Sequence, residues 1–397
     1  MGLKAVPNQT DPFQDIRPYF DHEVPQAISR LLDDADFLHA ILNYRLASWP
    51  KTVRYLFTPV LRWLLARKAK GLRTVADVQN MVADFLQQSL QKSSAGVSVS
   101  GLEHLDPKQA YLFISNHRDI AMDPALLNWC LHQKSMDTVR IAIGDNLLKM
   151  PCATELMKLN KSFIVKRSIK APREMLKALG HLSAYIKDSL ETGHSIWIAQ
   201  KEGRAKDGLD QTDEAILKMF NIEGKKRGMD FATYMQSLNI VPVCLSYEFD
   251  PLDQAKANEL YMLASTGEYK KSEMEDIQSI VQGIVGQKGR VHVHFGEAIQ
   301  ATFQDPAALA AEIDRQIWAG YRLYPVNYLA AEMDVELDPG EDSLWYQTKM
   351  ASLPTELRSY VQQMYAAPAL KQQQTLAQQE QLAAQHKELE DGATYQL

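Results

Sequence analysis

Apolar and polar positions divide the chain into three stretches. Over roughly the first ninety residues the apolar side chains recur at helical spacing. Leu31, Leu32, Ala35, Leu38, Ile41 and Leu42 fall on one face, with Asp33, Asp34 and Asp36 between them. Beyond the Trp49-Pro50 break, residues 55–70 carry Phe57, Leu61, Trp63, Leu64 and Leu65 beside Arg62, Arg67, Lys68 and Lys70, with Arg54 just ahead. Two readings stand: a helix lying in a membrane interface, or a core-packing helix with a basic solvent edge. Residues 91–100, with Ser93, Ser94 and Gly96, read as a linker.

From Gly101 to about residue 300 the pattern changes to short apolar runs alternating with helical periodicity. Strands are expected at 110–115, 139–143, 162–166, 196–200, 240–247 and 291–295, and helices at 124–132, 171–191 and 213–220. Most of the strands are continuously apolar, which fits burial on both faces. The fold class expected is α/β, a mostly parallel central sheet flanked by helices, with an N-terminal helical region. From about Thr355 large apolar residues thin out and Gln and Ala dominate, as in a solvated helix or a disordered end. The organisation expected is therefore a helical region over 1–95, an α/β domain over 96–330 and a C-terminal tail over 331–397.

Composition narrows the choice of partners. A formal net charge of −6 argues against a generic nucleic-acid binder. Three cysteines, Cys130, Cys152 and Cys244, are odd in number and lack metal-ligand spacing, which points to a reducing compartment and away from structural zinc. The N-terminus has no apolar h-region, Gly2 lacks the Ser or Thr of a myristoylation pattern, and no window is apolar enough to span a bilayer. A protein that does not cross a membrane, yet can sit on one, is expected. His292 and His294 alternate with valines on one strand face; without a nearby third ligand they read as packing rather than as a metal pair. Lys225-Lys226-Arg227 reads as a solvated loop, and Met150, Met157 and Met175 as core filler or apolar-pocket lining.

Candidate chemistry collects at strand ends. The run Tyr111-Leu-Phe-Ile-Ser115 breaks into Asn116, His117, Arg118 and Asp119, and Asp123-Pro124 then signals a helix start, with Asp123 as N-cap and Pro124 first in the helix. His117 thus lies at the C-terminal end of a strand, where α/β folds place their ligands. An imidazole beside a carboxylate can take a proton from a hydroxyl while the acid fixes its tautomer. Taken alone, the pair also reads as a solvated loop histidine near a routine N-cap. A second apolar strand runs into Gln200-Lys-Glu-Gly-Arg-Ala-Lys-Asp-Gly208. There Lys201, Arg204 and Lys206 suit a phosphate, Glu202 can orient them or a hydroxyl, and Gly203 admits close backbone approach. Phe163-Ile-Val-Lys-Arg167 ends in Lys166 and Arg167. Pro242, inside the run Ile240-Val-Pro-Val-Cys-Leu-Ser-Tyr-Glu248, reads as an edge or bulge.

In order and spacing these four segments resemble the four motifs of the glycerolipid acyltransferase family, the PlsC-type and PlsB-type enzymes, over roughly residues 100–300. The resemblance implies a catalytic His117 and Asp123, an acceptor-phosphate contact at Arg167, a further acceptor-binding element at Glu202-Gly203-Arg204, and an acyl pocket near Val241-Pro242-Val243. His117 and Asp123 are separated by five residues where the family has four, so either the loop bulges and Asp123 is the acid, or Asp119 takes its place. Lys-Glu-Gly-Arg replaces the family's Pro-Glu-Gly-Thr. Glu-Gly-Arg-Ala-Lys-Asp-Gly and Gly144-Asp145-Asn146-Leu147 look like glycerol-3-phosphate acyltransferases, whereas the size and the Val-Pro-Val strand look like lysophosphatidate acyltransferases.

The expected reaction moves a fatty acyl group from acyl-CoA or an acyl-acyl-carrier-protein to a hydroxyl of 1-acylglycerol 3-phosphate or glycerol 3-phosphate, in phospholipid synthesis. It needs no metal and no cofactor beyond the thioester co-substrate, and belongs to a peripheral enzyme on the cytoplasmic face of a membrane. Two rivals remain. An α/β hydrolase would need a nucleophile elbow, and the chain has no Gly-x-Ser-x-Gly; Ser115 lies at a strand end instead. A non-catalytic lipid binder on the same fold would explain the altered His-to-Asp spacing.

Overall fold

The computed structural model describes residues 11–393 apart from 47, 273 and 336–340. The N-terminal positions that bear on a signal or a lipid attachment site lie outside the described residues. In chain order the helices and strands are α1 (Val24–Asp33), α2 (Ala35–Arg45), α3 (Lys51–Leu56), α4 (Thr58–Ala69), α5 (Val75–Ser93), β1 (Gly96–Ser100), β2 (Leu112–Ser115), α6 (Met122–Gln133), β3 (Arg140–Gly144), α7 (Pro151–Leu159), β4 (Ser162–Val165), α8 (Pro172–Glu191) and β5 (Ile196–Ala199). They continue with α9 (Glu214–Lys226), α10 (Phe231–Gln236), β6 (Ile240–Tyr247), α11 (Asp253–Thr266), α12 (Glu275–Val285), β7 (Arg290–Phe295), α13 (Pro306–Ala319), α14 (Pro325–Ala330), α15 (Glu341–Ser352) and α16 (Thr355–Ala393). The strands form a seven-stranded sheet in the order β1-β7-β6-β2-β5-β3-β4. The α/β class and the N-terminal helical region are as the hydropathy pattern predicts.

The chain divides into two compact units, residues 1–84 with 139–196, and residues 85–138 with 197–397. In the first, Val24, Ala27 and Leu31 of α1 form a core with Val78, Cys152 and Leu159. The periodic run that reads as one helix is two: Asp34 breaks it and caps α2 by accepting from the Phe37 amide. Helices α3 and α4 bury no residue. Leu56, Val60, Trp63 and Leu64 are 77%, 52%, 59% and 47% exposed, which removes the core-packing reading of this helix. Strands β3 and β4 pair in parallel, Ile141 opposite Ser162. No helix among the described residues is long and apolar enough to cross a membrane.

In the second unit β2 and β6 pair in parallel, β6 and β7 antiparallel, and β7 and β1 in parallel. All four residues of β2 and seven of the eight of β6 are buried, as their continuous apolar runs require. Three expectations are corrected here. The stretch read as a linker ends in strand β1, because Val97 and Val99 alternate with serines and pair against Val291 and Val293. Pro242 lies within a strand paired on both sides, not at an edge or bulge. Its carbonyl accepts from the Gly296 amide, so its missing N–H also faces Gly296, one residue past the end of β7. Lys225 and Lys226 finish helix α9 and Arg227 caps it, paired with Glu223, rather than forming a loop.

The C-terminal region is helical, as one of its two readings has it, but its first half is not solvated. Leu357, Val361, Met364 and Tyr365 of α16 pack with Tyr324, Val326 and Ala330 around α14 in a core of their own. At roughly 1.5–3 kcal/mol for each large side chain buried, this docking is a substantial share of the unit's stability. Gly208 meets α16 so closely that a Cβ would lie 2.4 Å from the Met364 carbonyl oxygen.

Candidate active site

Strand β2 ends at Ser115, and the chain turns through Asn116, His117, Arg118 and Asp119 before α6. Ser115 is fully buried: its hydroxyl donates to the Asn116 carbonyl at 2.7 Å and accepts from the Trp197 indole at 2.9 Å, an arrangement unlike an exposed nucleophile. Asn116 fixes the turn to β6, with Nδ2 donating to the Leu245 carbonyl at 3.0 Å and Oδ1 accepting from the Leu245 amide at 2.8 Å. His117 is the one partly exposed side chain in the run from Asn116 to Asp119. Its Nδ1 lies 2.8 Å from Asp123 Oδ2, and its ring meets Trp197 edge-on, with centroids 5.9 Å apart. His117 Nε2 makes no hydrogen bond among the described residues.

Of the two acids, then, Asp123 meets the imidazole, and the extra residue is absorbed in the turn. Asp123 Oδ2 also accepts the amides of Arg118 at 2.6 Å and Asp119 at 2.9 Å, while Oδ1 accepts the Tyr247 hydroxyl at 2.7 Å. A carboxylate with no exposed surface is stable only when satisfied in this way. Helix α6 begins at Met122, two residues before the position expected, so Asp123 lies inside the first turn and does not cap it. Ala121 is the N-cap, and Asp119 Oδ1 accepts its amide and that of Met122 at 2.9 Å each. Burial and the adjacent Asp123 carboxylate raise the Asp119 acid above its ordinary value.

A buried ionic knot locks the turn from below. The Arg118 guanidinium donates to Asp210 at 2.8 Å, to the Gly208 carbonyl at 3.0 Å and to the Tyr321 hydroxyl at 2.6 Å. Tyr321 in turn donates to Asp210 at 2.8 Å. The Arg118 carbonyl accepts Lys256 Nζ at 2.7 Å, and Lys256 also pairs with Asp250. Burial, opposed in part by Arg118, pushes the Tyr321 phenol well above its ordinary value, so it remains a donor.

The loop after β5 is hydrogen-bonded onto this turn: the Ala205 amide donates to the His117 carbonyl at 2.8 Å, and the Gln200 amide donates to Ser115 O at 2.8 Å. Arg204 is therefore one residue from a backbone contact with His117. Its Nη1 is buried and has no hydrogen-bond partner among the described residues. Lys201 Nζ reaches the Leu209 carbonyl at 3.3 Å, Lys206 is paired with Glu259, and Glu202 is exposed. Gly203 adopts φ +79°, a left-handed conformation, and a Cβ there would meet nothing within 4 Å. Its requirement is thus the backbone angle, with open space left around it.

Arg167 belongs to the other unit and is described within it. Its amide donates to Asp145 Oδ1 at 3.0 Å, and its side chain passes over Gly144, where a Cβ would lie 3.2 Å from Arg167 Cδ. The Gly144-Asp-Asn-Leu147 run and the Phe163-to-Arg167 segment are therefore neighbours. Lys166 pairs with Asp15 at 2.5 Å. His292 and His294 are packing residues: both ring nitrogens of His292 contact the hydroxyls of Ser98 and Ser100, and His294 contacts Ser100. Among the described residues no three potential ligands gather as a metal site.

Asp210, Tyr321, Lys256 and Tyr247 carry no local sequence signal for this site. They reach it from up to 205 residues away, as the Asn116–Tyr321 contact illustrates.

The His117–Asp123 pair thus lies just past the C-terminal end of the central strand β2, with the glycine-punctuated loop bonded to the same turn, in an α/β domain. Residues 96–246, from the first residue of β1 into the end of β6, match the family model described as Acyltransferase. Over this stretch the chain is similar to the acyltransferase family. Among solved structures, the 1-acyl-sn-glycerophosphate (LPA) acyltransferase PlsC from Thermotoga maritima is similar over 61% of this chain and 78% of that one, at 15% identity and a TM-score of 0.35. A likeness that distant bears no weight on substrate. A search of curated proteins finds no significant match.

Proposed function

We propose that this acyltransferase moves a fatty acyl group from a thioester, acyl-CoA or acyl-acyl-carrier-protein, to a hydroxyl of 1-acylglycerol 3-phosphate or glycerol 3-phosphate. The observation that carries the reading is the Ala205-to-His117 hydrogen bond, which ties the backbone of the cation-bearing loop to that of the His117 turn. In this mechanism His117 Nε2 takes the acceptor's hydroxyl proton as that oxygen attacks the thioester carbonyl. The C–O bond forms, the C–S bond breaks, and the thiolate leaves with the proton that His117 has collected. Asp123 holds Nδ1–H and stabilises the imidazolium. An acceptor phosphate would satisfy the buried Nη1 of Arg204, and Arg167 is a second contact on the strength of the motif resemblance alone. Lys201, Glu202 and Lys206 supply the surrounding field, Lys206 least because Glu259 already neutralises it.

The exposed apolar face of α3 and α4 supports a membrane-surface location. Residues 51–73 carry Lys51, Arg54, Arg62, Arg67, Lys68, Lys70 and Arg73 without one acidic residue, a composition suited to anionic lipid.

The test is thiol release from acyl-CoA or acyl-acyl-carrier-protein with acceptors supplied one at a time. Release that depends on a glycerol-phosphate acceptor is expected. Release of free fatty acid without acceptor would make the protein a hydrolase, and no release with any acceptor would favour the lipid-binder reading.

A further inference from the structure

Tyr247 is the last residue of β6, and nothing in the motif resemblance gives it a role. We infer that Tyr247 is a positioning residue for the catalytic pair: its hydroxyl, 2.7 Å from Asp123 Oδ1, holds the carboxylate in the plane that presents Oδ2 to His117. The inference rests on His117 acting as the general base.

The argument is one of counting. Oδ2 of Asp123 is held by three donors, the His117 ring and the amides of Arg118 and Asp119, all from the turn itself. Oδ1 is held from outside the turn, by Tyr247, 124 residues along the chain. Remove that hydroxyl and a buried oxygen loses its partner, while the carboxylate gains freedom to rotate and let the imidazole swing. Burial and the neighbouring Asp123 and Asp119 carboxylates push the phenol well above its ordinary value, so Tyr247 stays a donor across the working pH range. The strand that carries the Val241-Pro242-Val243 segment thereby braces the reacting groups at its far end.

The hydroxyl also sets basicity. It draws off part of the carboxylate's charge, so its loss leaves more charge on Oδ2 to stabilise the imidazolium. The base must be neutral to act, so a better-stabilised imidazolium moves the acid limb of the rate profile to higher pH. Other ionisable groups facing this pair are Asp119 in the turn, Lys256 of α11 and Lys288 after α12, both of which act on Asp119, and Asp250, which acts on Tyr247. Tyr247→Phe leaves all of these unchanged.

The experiment compares Tyr247→Phe with the wild-type enzyme and with His117→Ala, measuring kcat, KM for both substrates and kcat against pH. Tyr247→Phe is expected to lower kcat about 10-fold, to leave both KM values within about twofold, and to move the acid limb to higher pH. An unchanged kcat and profile overturns the inference, as does a lowered kcat with an unmoved acid limb, which would mean a packing role only. Wild-type turnover by His117→Ala would sink the base assignment itself, whatever Tyr247→Phe does.

Discussion

Two loops meet at this site and are built in opposite ways. In the His117 turn the polar side chains of Asn116, Arg118, Asp119 and Asp123 are buried and bonded, and only the imidazole reaches solvent. In the Lys201-to-Gly208 loop Glu202, Gly203 and Asp207 are exposed, and Arg204 keeps a nitrogen unpartnered among the described residues. The backbones are joined at Ala205 and His117. The first arrangement fixes a proton acceptor in advance, where misplacement by a fraction of an ångström slows chemistry. The second leaves cations to settle on a ligand. Mutations in the two should therefore separate, the first acting on kcat and stability, the second on KM.

Among substitutions that keep the imidazole, the largest effect expected is from Asp123→Asn, which keeps the shape but stabilises the wrong tautomer of His117. A loss of about 10³–10⁴-fold in kcat should appear in steady-state assays of a variant whose circular dichroism is unchanged. Next is Arg204→Ala, for which KM of a phosphorylated acceptor should rise about 10–100-fold with a smaller change in kcat, read by initial rates over acceptor concentration. Equal losses in kcat from Arg204→Ala and Asp123→Asn would erase the distinction between the loops. Arg118→Met strands Asp210 in the interior and should cost about 3–5 kcal/mol in denaturant unfolding. Lys206→Ala, whose partner Glu259 takes its charge, should change KM by less than about threefold.

A pH effect away from the site provides a control. Burial, with Arg322 and His294 adding to it, lowers His292 from the ordinary 6.5 to about 4. Between those values the unfolded chain binds a proton that the folded chain refuses, so stability rises with pH there and falls as pH drops from 6.5 toward 4. His292→Gln should flatten that slope in thermal melts taken across the window, without altering kcat.

The sheet was legible because β2 and most of β6 are unbroken apolar runs, which burial on both faces explains, while in β7 valines alternate with histidines. Strand β1 was not, since its serines and glycine read as a linker and only alternation of Val97 with Val99 marks it. The first half of α16 hid its core among alanines and glutamines: Met364, Tyr365 and Ala366 bury themselves against α14, a contact that composition does not announce. At the site, a strand end followed by polar residues pointed to His117 and to an acid within reach. What holds that acid, Tyr247, and what holds the turn, Asp210 and Tyr321, come from distant strands and loops. Local patterning carries no trace of such partners, because their role exists only once the sheet has formed.

The most direct measurement is acceptor-dependent thiol release by purified His117→Ala beside the wild-type enzyme, both verified as folded. A fall of about 10²–10⁴-fold or more, with acceptor binding retained, is the result predicted for loss of the general base. Turnover equal to wild type would contradict the assignment of His117 and with it the mechanism built on that imidazole.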